Sequence, residues 1–476
     1  MLRMKMHLTR LIHHDWLYMA PSVHCGGGPT PHQDVVNCEK QAVTPQVSSP
    51  AGMVGRVFGK LVLRTIDVST GRASMMHQEI CSSSIASEGI ADDLSREVYC
   101  FLGFPIDVVE MPSVMRRIEL AAAGSSTLFL STPNLNYLAN SQLDPEFRES
   151  LLVSDLCIPD GMSVVWSARL MGIPIKERVA GSDVLAELKA RRSPDKPLKL
   201  FLFGGPEGVA AAASRALNAQ PGGVHCVGLL YPGFGAVDEL SGDEVIDAIN
   251  SSGADFLVIS LGSKKGQLWL KRNHSRLRIP VRAHFGASLN FEAGAVKRAP
   301  HILRKSGLEW LWRIKEEPFL WRRYWHDGKL LARLLYANIL PLALYQLRLK
   351  NRRNSEDAFV TEVLGDAYLQ IRISGDATSR NVDKIIPAFR NAVAMNKRTI
   401  IDLSNTRAID ARVLGLILML RKALKGSVGD PVFVGLSSEL KRIFRLNGMG
   451  FLLATEPCDQ PLERMAANPI AATSGH

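Results

Sequence analysis

The sequence lacks most of the patterns that mark common metal and nucleotide sites. Its seven cysteines form no Cys-x-x-Cys pair and no His/Cys cluster at metal-ligand spacing. This argues against a structural zinc site and favours reduced thiols in a reducing compartment. No Gly-x-Gly-x-x-Gly follows the first predicted strand and no Gly-x-x-x-x-Gly-Lys-[Ser/Thr] occurs, so neither classical dinucleotide binding nor a Walker-type ATPase is indicated. Asp-x-Asp, with which many transferases hold a metal–diphosphate, is also absent.

Negative charge is scarce in one stretch of the chain. Between Lys297 and Arg353, fourteen Lys and Arg residues accompany only four acidic ones, which accounts for nearly all of the net charge of +11. A solvated helical face is one explanation, but an anionic partner (phospholipid headgroups, a pyrophosphate or nucleic acid) is favoured. Three tryptophans, including Trp310 and Trp312, stand among the arginines. Arginine contacts phosphate and tryptophan settles at membrane interfaces, so we predict that residues 297–350 form a basic helical, membrane-proximal appendage.

Long uninterrupted apolar runs are few as well. Residues 330–347 are apolar but interrupted by Arg333, Asn338 and Pro341, which makes a poor spanning helix. The basic flanks favour an interfacial anchor, and an amphipathic helix packed on the protein itself is the alternative. Residues 1–95 lack the apolar core of a signal peptide; we expect a disordered extension, or an upstream start codon that is not used.

From residue 96 to residue 296, short apolar runs alternate with helix-like segments. The predicted strands are 127–131, 198–204, 255–262 and 280–286, and the predicted helices include 208–219 and 242–250. Apolar strands separated by helices predict an α/β fold with a parallel sheet covered on both faces. Three of the strands end at glycine, as at Gly204-Gly205. Ligands bind beyond the carboxyl ends of such strands, and helix N-termini there favour a nucleotide diphosphate.

Two charged residues in turns are candidates for chemistry. Asp160 follows an apolar pair in a Pro-Asp-Gly turn, and a carboxylate there suits a general base that removes a hydroxyl proton. Spacing alone favours the alternative that Asp160 is the N-cap of a helix beginning near Met162. Arg178 precedes an apolar pair and Gly181; it could clamp a phosphate or pair with a surface acid.

Several motifs occur in an order that resembles the WecG/TagA/CpsF family of glycosyltransferases, from about residue 98 to about residue 324. They are Thr132-Pro133-Asn134, Ile158-Pro159-Asp160-Gly161, Glu177-Arg178-Val179-Ala180-Gly181-Ser182-Asp183, Phe203-Gly204-Gly205-Pro206, Gly228 with Pro232-Gly233-Phe234, Leu261-Gly262, Gly294-Ala295-Val296-Lys297-Arg298-Ala299-Pro300, Gly307-Leu308-Glu309-Trp310-Leu311-Trp312-Arg313 and Glu317-Pro318. So many motifs in order make the resemblance specific.

The resemblance implies a Rossmann-like transferase that moves a sugar from a UDP-sugar to a polyprenyl-diphosphate-linked acceptor, with inversion and without a metal or other cofactor. It assigns the base to Asp160, against the capping interpretation. It places Thr132 and Asn134 beside the sugar and Arg178 in the pocket. Its substrate-binding residues also include Gly181, Gly204, Gly205, Arg313 and Arg323, the two arginines reaching the diphosphate when the appendage closes.

The chain departs from the family pattern in three places. The usual Gly-x-Pro-Lys-Gln-Glu reads Gly262-Ser263-Lys264-Lys265-Gly266-Gln267, so Gly266 replaces the glutamine, and Gln267 would contact the donor through a one-residue shift. The usual Phe-Asp reads Leu289-Asn290, which loses a carboxylate, and an arginine after Glu-Pro is replaced by Phe319-Leu320. These changes indicate a different sugar or weakened activity.

Residues 356–460 are predicted to form a second, small α/β domain, followed by a disordered tail at 461–476. Strands at 367–375, 398–404 and 431–437, with helices at 381–395, 413–424 and 439–448, resemble a STAS domain. In anti-sigma-factor antagonists a phosphorylatable serine follows an aspartate matching Asp410; here Ala411 excludes that switch. Docking of a protein partner and simple stabilisation of the enzyme are both open.

We therefore expect a glycosyltransferase of bacterial polysaccharide assembly, peripheral on the cytoplasmic face of the cell membrane. The donor sugar would be of the N-acetylmannosamine or glucose type. The expected partners are the UDP-sugar, the lipid-linked acceptor and an anionic membrane surface, with no nucleic acid; homo-oligomers are left open. The alternative is a transferase-fold scaffold with impaired catalysis that recruits partners through the STAS-like domain.

Overall fold

The computed structural model describes residues 92–124, 126–191, 196–219, 222–286, 288–351 and 357–453. Nearly all of the predicted N-terminal extension, and the whole of the predicted C-terminal tail, therefore lie outside the described residues. We call residues 92–296 the first domain, 297–351 the appendage and 357–453 the second domain.

The first domain is built on a six-stranded parallel sheet, in the order β4-β3-β8-β7-β5-β6. Its strands are β3 (Leu128–Ser131), β4 (Leu156–Cys157), β5 (Leu198–Gly204), β6 (Val224–Leu230), β7 (Phe256–Ser260) and β8 (Val281–His284). An antiparallel hairpin of β1 (Val98–Phe101) and β2 (Phe104–Asp107) precedes it. The helices are α1 (Met111–Ala122), α2 (Leu135–Leu143), α3 (Pro145–Leu152), α4 (Met162–Leu170), α5 (Gly181–Ala190), α6 (Val209–Asn218), α7 (Asp243–Ser251), α8 (Ser263–Asn273) and α9 (Ser288–Glu292).

Apolar residues cover both faces of this sheet. Successive strand residues point to opposite faces, and accordingly Leu128 and Leu130 join one buried cluster while Phe129 joins another. Helices α1, α5 and α6 close the first cluster, and α7 and α8 close the second. The predicted parallel sheet covered on both faces is thus confirmed. Because the strands are parallel, their carboxyl ends meet at one edge.

The appendage is helical throughout its described length. It contains α10 (His301–Lys305), α11 (Glu309–Glu316), a 3-10 turn (Pro318–Leu320), α12 (Trp321–Leu334), a π-helical segment (Leu335–Ile339) and α13 (Leu340–Asn351). From Pro318 to Asn351 these elements form one 34-residue helix that is long and apolar enough to cross a membrane. One side of it packs on the protein, however, because Leu334, Ile339 and Tyr345 join a buried core.

The second domain has five strands: β9 (Phe359–Leu364), β10 (Tyr368–Ala377), β11 (Arg398–Asp402), β12 (Thr406–Ile409) and β13 (Val432–Val434). Its helices are α14 (Val382–Met395), α15 (Ala411–Leu424) and α16 (Ser438–Leu446). The order β12-β10-β11-β13 is parallel throughout, and β9 pairs antiparallel with β10.

The two domains share one core, although the sequence suggests an independent second domain. Helix α15, over the predicted helix 413–424, is buried on nearly every side, because it lies between its own sheet and the β1–β2 hairpin. A Cβ atom on Gly415 would come within 2.4 Å of the Val98 carbonyl oxygen. Ion pairs of Arg421 with Glu149 (2.6 Å) and of Lys422 with Asp155 (3.1 Å) flank this contact.

Candidate active site

A cavity of about 1000 Å³ lies at the carboxyl ends of the parallel strands. The loops after β3, β4, β5, β7 and β8 form its walls, and the appendage roofs it with Trp310, Arg313 and Tyr324. Seven of the ten predicted site residues line it. These are Thr132, Asn134, Asp160, Arg178, Gly205, Arg313 and Arg323.

Asp160 is fixed in the loop after β4 by the backbone on both sides. Its N–H donates to the Pro133 carbonyl (2.9 Å), and the neighbouring Pro159 carbonyl accepts from Val179 (3.0 Å). The N-cap of α4 is Gly161, which has φ +114° and provides no side-chain cap. The capping interpretation of Asp160 is therefore wrong, because its side chain stands one residue too early and turns into the cavity.

The surroundings of Asp160 give its carboxyl group an unusual affinity for protons. Burial raises its pKa from 3.8 to about 7, although Arg178 acts in the opposite direction. Nearby negative charges on Glu309 and Asp183 raise the pKa further, and a hydrogen bond from the Gly181 N–H lowers it. A carboxylate poised near neutral pH is well matched to accept a proton from a reacting hydroxyl group.

Arg178 links the cavity wall to the appendage. Its guanidinium donates to Asp183 (2.7 Å) and to Glu309 (2.9 Å), the second of which begins α11. Asp183 also accepts from Arg298 and from Arg304 (3.2 Å). Arg178 thus pairs with acids, as one interpretation predicts. It also lines the cavity, and the phosphate contact stays a prediction. The network holds the appendage closed over the sheet edge.

Thr132 and Asn134 occupy the loop after β3. The Thr132 hydroxyl donates to the His284 carbonyl (3.3 Å). The Asn134 side-chain oxygen caps α2 by accepting from two backbone N–H groups (3.0 and 3.2 Å). Each side chain is thereby held by the fold while it faces the cavity.

The two predicted appendage arginines reach the cavity from its roof. Arg313 donates to Glu317 (2.5 and 3.0 Å) and lies 5.3 Å from the centre of the Phe291 ring. Arg323 lies 5.2 Å from the centre of the Tyr324 ring and makes no ion pair within the described part of the chain. Positive charge is thus available where an anionic ligand would enter.

Three predicted residues do not line the cavity. Gln267 is fully buried, and its side chain bonds to Ser131 (2.7 and 3.1 Å) and to the Ser150 carbonyl (3.1 Å). Its predicted donor contact is therefore wrong. One position along a helix turns a side chain by about 100°, so Gln267 faces Ser131 and Ser150 in the core, while a Cβ on Gly266 would face the His284 ring.

Gly204 and Gly181 act through close packing instead. A Cβ on Gly204 would approach Leu261 to 2.6 Å, and one on Gly181 would approach Phe285 to 2.7 Å. Gly205 alone of the glycine pair reaches the cavity. Gly181 still contributes its backbone N–H to Asp160.

His284, which the sequence analysis does not select, ends β8 and lines the cavity. Its only signal in the sequence is its position two residues before Gly286. A histidine within an apolar run otherwise looks like an ordinary buried residue of the core. Within the described residues, no group of three or more His, Cys, Asp or Glu side chains is arranged to hold a metal ion.

Comparison with protein families matches both domains. Residues 99–343 match the model described as glycosyl transferase WecG/TagA/CpsF family, and residues 360–454 match a Mlab, STAS domain model. The predicted transferase–STAS fusion is confirmed by these matches.

Two curated relatives carry the same name, N-acetylglucosaminyldiphosphoundecaprenol N-acetyl-β-D-mannosaminyltransferase. The one from Bacillus spizizenii is 27 % identical over 195 residues, covering 41 % of this chain and 74 % of its own. The one from Staphylococcus aureus is 26 % identical over 261 residues, covering 53 % and 92 %. Among solved structures, the Bacillus cell fate determinant SpoIIAA in its phosphorylated form is 18 % identical, covering 20 % of this chain and 87 % of that chain, with a TM-score of 0.18.

Proposed function

Because this chain belongs to the WecG/TagA/CpsF family of glycosyltransferases, we propose that it transfers a sugar from a UDP-sugar to a polyprenyl-diphosphate-linked sugar, with inversion and without a metal ion. The names of the relatives support an N-acetylmannosamine-type donor and an undecaprenyl-diphosphate N-acetylglucosamine acceptor; a glucose-type donor is the alternative. The observation that carries the proposal is the Asp160 carboxyl group, poised near pH 7 in a cavity edged by arginines.

In the proposed reaction Asp160 is the general base. Its carboxylate takes the proton of an acceptor hydroxyl while that oxygen bonds to the anomeric carbon of the donor. The bond from the anomeric carbon to the diphosphate oxygen breaks, and UDP leaves with the electron pair. A single displacement from the opposite side inverts the anomeric centre. Such a base contributes on the order of 10²–10⁴-fold in rate.

Stabilising the leaving diphosphate is the second task of the site. Arg323 and Arg313 line the cavity, and arginine suits phosphate because its N–H groups bind two oxygens at once. The helix α8 begins directly after Gly262 at the cavity wall, so the free N–H groups of its first turn would bind the oxygens of a diphosphate held there. These groups would supply the positive charge that a metal ion supplies in other transferases.

We place the protein on the inner surface of the cell membrane. Large apolar side chains of the appendage stay exposed, among them Phe319, Trp321, Trp325 and Tyr336. The opposite side of the same helix packs into the protein core, which supports a helix lying in the interface over one that crosses the bilayer. The lipid-linked acceptor would reach the cavity from this surface.

The shared core supports a stabilising role for the STAS-like domain. Its helix α15 covers the β1–β2 hairpin, so a protein partner would have to dock on another surface of that domain. The scaffold alternative keeps one motivation, because Asn290 stands where the family has a carboxylate.

The test is turnover of the full-length protein with Asp160→Asn. We expect UDP release from UDP-N-acetylmannosamine and an undecaprenyl-diphosphate N-acetylglucosamine acceptor to fall at least a hundredfold, with UDP binding retained. Asp255→Asn is the matched control, since Asp255 accepts from the Lys199 N–H (2.9 Å) at the start of β7, on the opposite edge of the sheet. Undiminished turnover of Asp160→Asn would remove the base assignment, and UDP binding without any turnover in the wild type would favour the scaffold.

A further inference from the structure

His284 is a buried polar residue on the wall of the reaction cavity, and the proposed mechanism does not use it. Only 3 % of its surface is exposed, and it is one of the residues that line the cavity. Among the described residues, no group forms a hydrogen bond with its Nε2 atom. A buried polar atom without a partner costs stability, so its retention beside a ligand cavity needs an explanation.

The other ring nitrogen of His284 is occupied. The Tyr137 hydroxyl lies 2.9 Å from Nδ1. Burial raises the pKa of that hydroxyl, so it keeps its proton at neutral pH. We take the hydroxyl as the donor and Nδ1 as the acceptor of this bond; in the reverse arrangement, with Nδ1–H donating to the hydroxyl oxygen, Nε2 would be an acceptor. Burial also lowers the pKa of His284 to about 4, so the ring is neutral at physiological pH. A neutral ring that accepts at Nδ1 carries its single proton at Nε2, and Nε2 is therefore a hydrogen-bond donor awaiting an acceptor.

Gly266 explains how the ring is accommodated. A Cβ on Gly266 would lie 2.2 Å from Cδ2 and 2.9 Å from Nε2 of His284, so any larger residue would displace the imidazole. The departure from the family's glutamine at this position thus comes with another polar group in the same space. The His284 ring is therefore held between Gly266, which leaves room for it, and Tyr137, whose hydroxyl bonds to its Nδ1 atom.

We propose that His284 is a substrate-contacting residue whose Nε2–H donates a hydrogen bond to an oxygen atom of the donor nucleotide-sugar. The inference rests on the proposed function for the identity of the donor. The acceptor atom is an oxygen of the diphosphate or of the sugar, because both present oxygens with free lone pairs and a neutral donor serves either. A contact of this kind contributes to affinity and orientation, while Asp160 keeps the proton transfer.

The test is binding of UDP and of UDP-N-acetylmannosamine to the full-length protein by calorimetry, together with KM and kcat. His284→Leu removes the donor, and we expect about tenfold weaker binding of the nucleotide-sugar. His284→Gln keeps an N–H donor and should lose less than about threefold. Weaker binding of both UDP and UDP-N-acetylmannosamine would assign the contact to the diphosphate. Weaker binding of UDP-N-acetylmannosamine alone would assign it to the sugar.

The matched control is His274→Gln. His274 is partly buried, and its Nδ1 atom is buried without a partner among the described residues. It does not line the cavity, so this variant should bind both probes as the wild type does. Tyr137→Phe preserves packing but removes the hydroxyl that fixes the tautomer of His284. We expect it to weaken binding of the same probe by a smaller factor than His284→Leu does, and it tests the contact even if His284→Leu folds poorly. Wild-type affinity in folded His284→Leu and Tyr137→Phe would overturn the inference. A wild type that binds neither probe would instead refute the proposed function and the inference with it.

Discussion

Asp160→Asn should stabilise the protein at neutral pH while it removes activity. The carboxyl group has a pKa of about 7 in the folded protein and about 3.8 when exposed. Burial is the main cause, because a carboxylate loses hydration in the cavity. The buried carboxylate therefore lowers the stability of the wild type at neutral pH, and an uncharged amide of nearly the same shape would remove this cost.

The pH dependence of that cost follows from proton linkage. Below pH 4 the carboxyl is protonated in both the folded and the unfolded protein, so it contributes nothing. Between pH 4 and pH 7 the unfolded chain ionises first, and stability falls as the pH rises. Above pH 7 the full cost is present. About three pKa units at 1.36 kcal/mol each give an upper limit of about 4 kcal/mol, and partial exposure of Asp160 to the cavity reduces it to about 2–4 kcal/mol.

The assay is thermal unfolding of the wild type and Asp160→Asn at pH 5 and pH 8. We expect the variant to melt several degrees higher at pH 8, at about 2 °C per kcal/mol, with a clearly smaller difference at pH 5. Asp183→Asn is a control of opposite sign, since Asp183 accepts from three arginines and its loss should lower the melting temperature. Equal melting temperatures of wild type and Asp160→Asn at both pH values would refute the burial argument.

Three further outcomes are expected. In UDP-release assays kcat/KM should fall about tenfold for each pH unit below pH 7, as Asp160 is protonated. Glu309→Gln should move the midpoint of this pH profile to lower pH, because the Glu309 charge raises the pKa of Asp160. Replacing Trp321 and Trp325 together by Ala should reduce sedimentation with anionic phospholipid vesicles several-fold, and unchanged sedimentation would contradict the interfacial placement. Gly415→Ala should cost about 1–3 kcal/mol of unfolding free energy, since its Cβ meets the β1 backbone at 2.4 Å; wild-type thermal stability would show that the domain contact is looser than described.

The elements that the sequence predicts well are those decided by local pattern. The strands β5, β7 and β8 follow apolar runs, with observed ends within two residues of the predicted ones. The two-residue strand β4 carries too little pattern to recognise. The β1–β2 hairpin and the burial of α15 depend on each other across some 300 residues, and no local pattern encodes such a contact.

The site divides in the same way. Turn residues such as Thr132, Asn134 and Asp160 are predictable because loops after parallel strands converge at one edge. The direction of a single side chain is not. Gln267 and Gly266 are neighbours in sequence, but their Cβ directions differ by about 100° around α8, so they face different parts of the protein. The position of the His284 ring is not predictable from local sequence either, because the ring occupies space that a side chain at Gly266 would fill.

Closure of the appendage and the basicity of Asp160 are coupled through shared charges. Arg178 lowers the pKa of Asp160, while Glu309 raises it, and these two residues are joined by the ion pair that fastens the appendage. If the appendage opens, Glu309 leaves and water enters, and both changes lower the pKa of the carboxyl group. The carboxyl group therefore has its raised pKa only when the roof is in place. Since the roof also carries the arginines that line the cavity, the groups proposed for proton acceptance and for charge stabilisation depend on the same contact between Arg178 and Glu309.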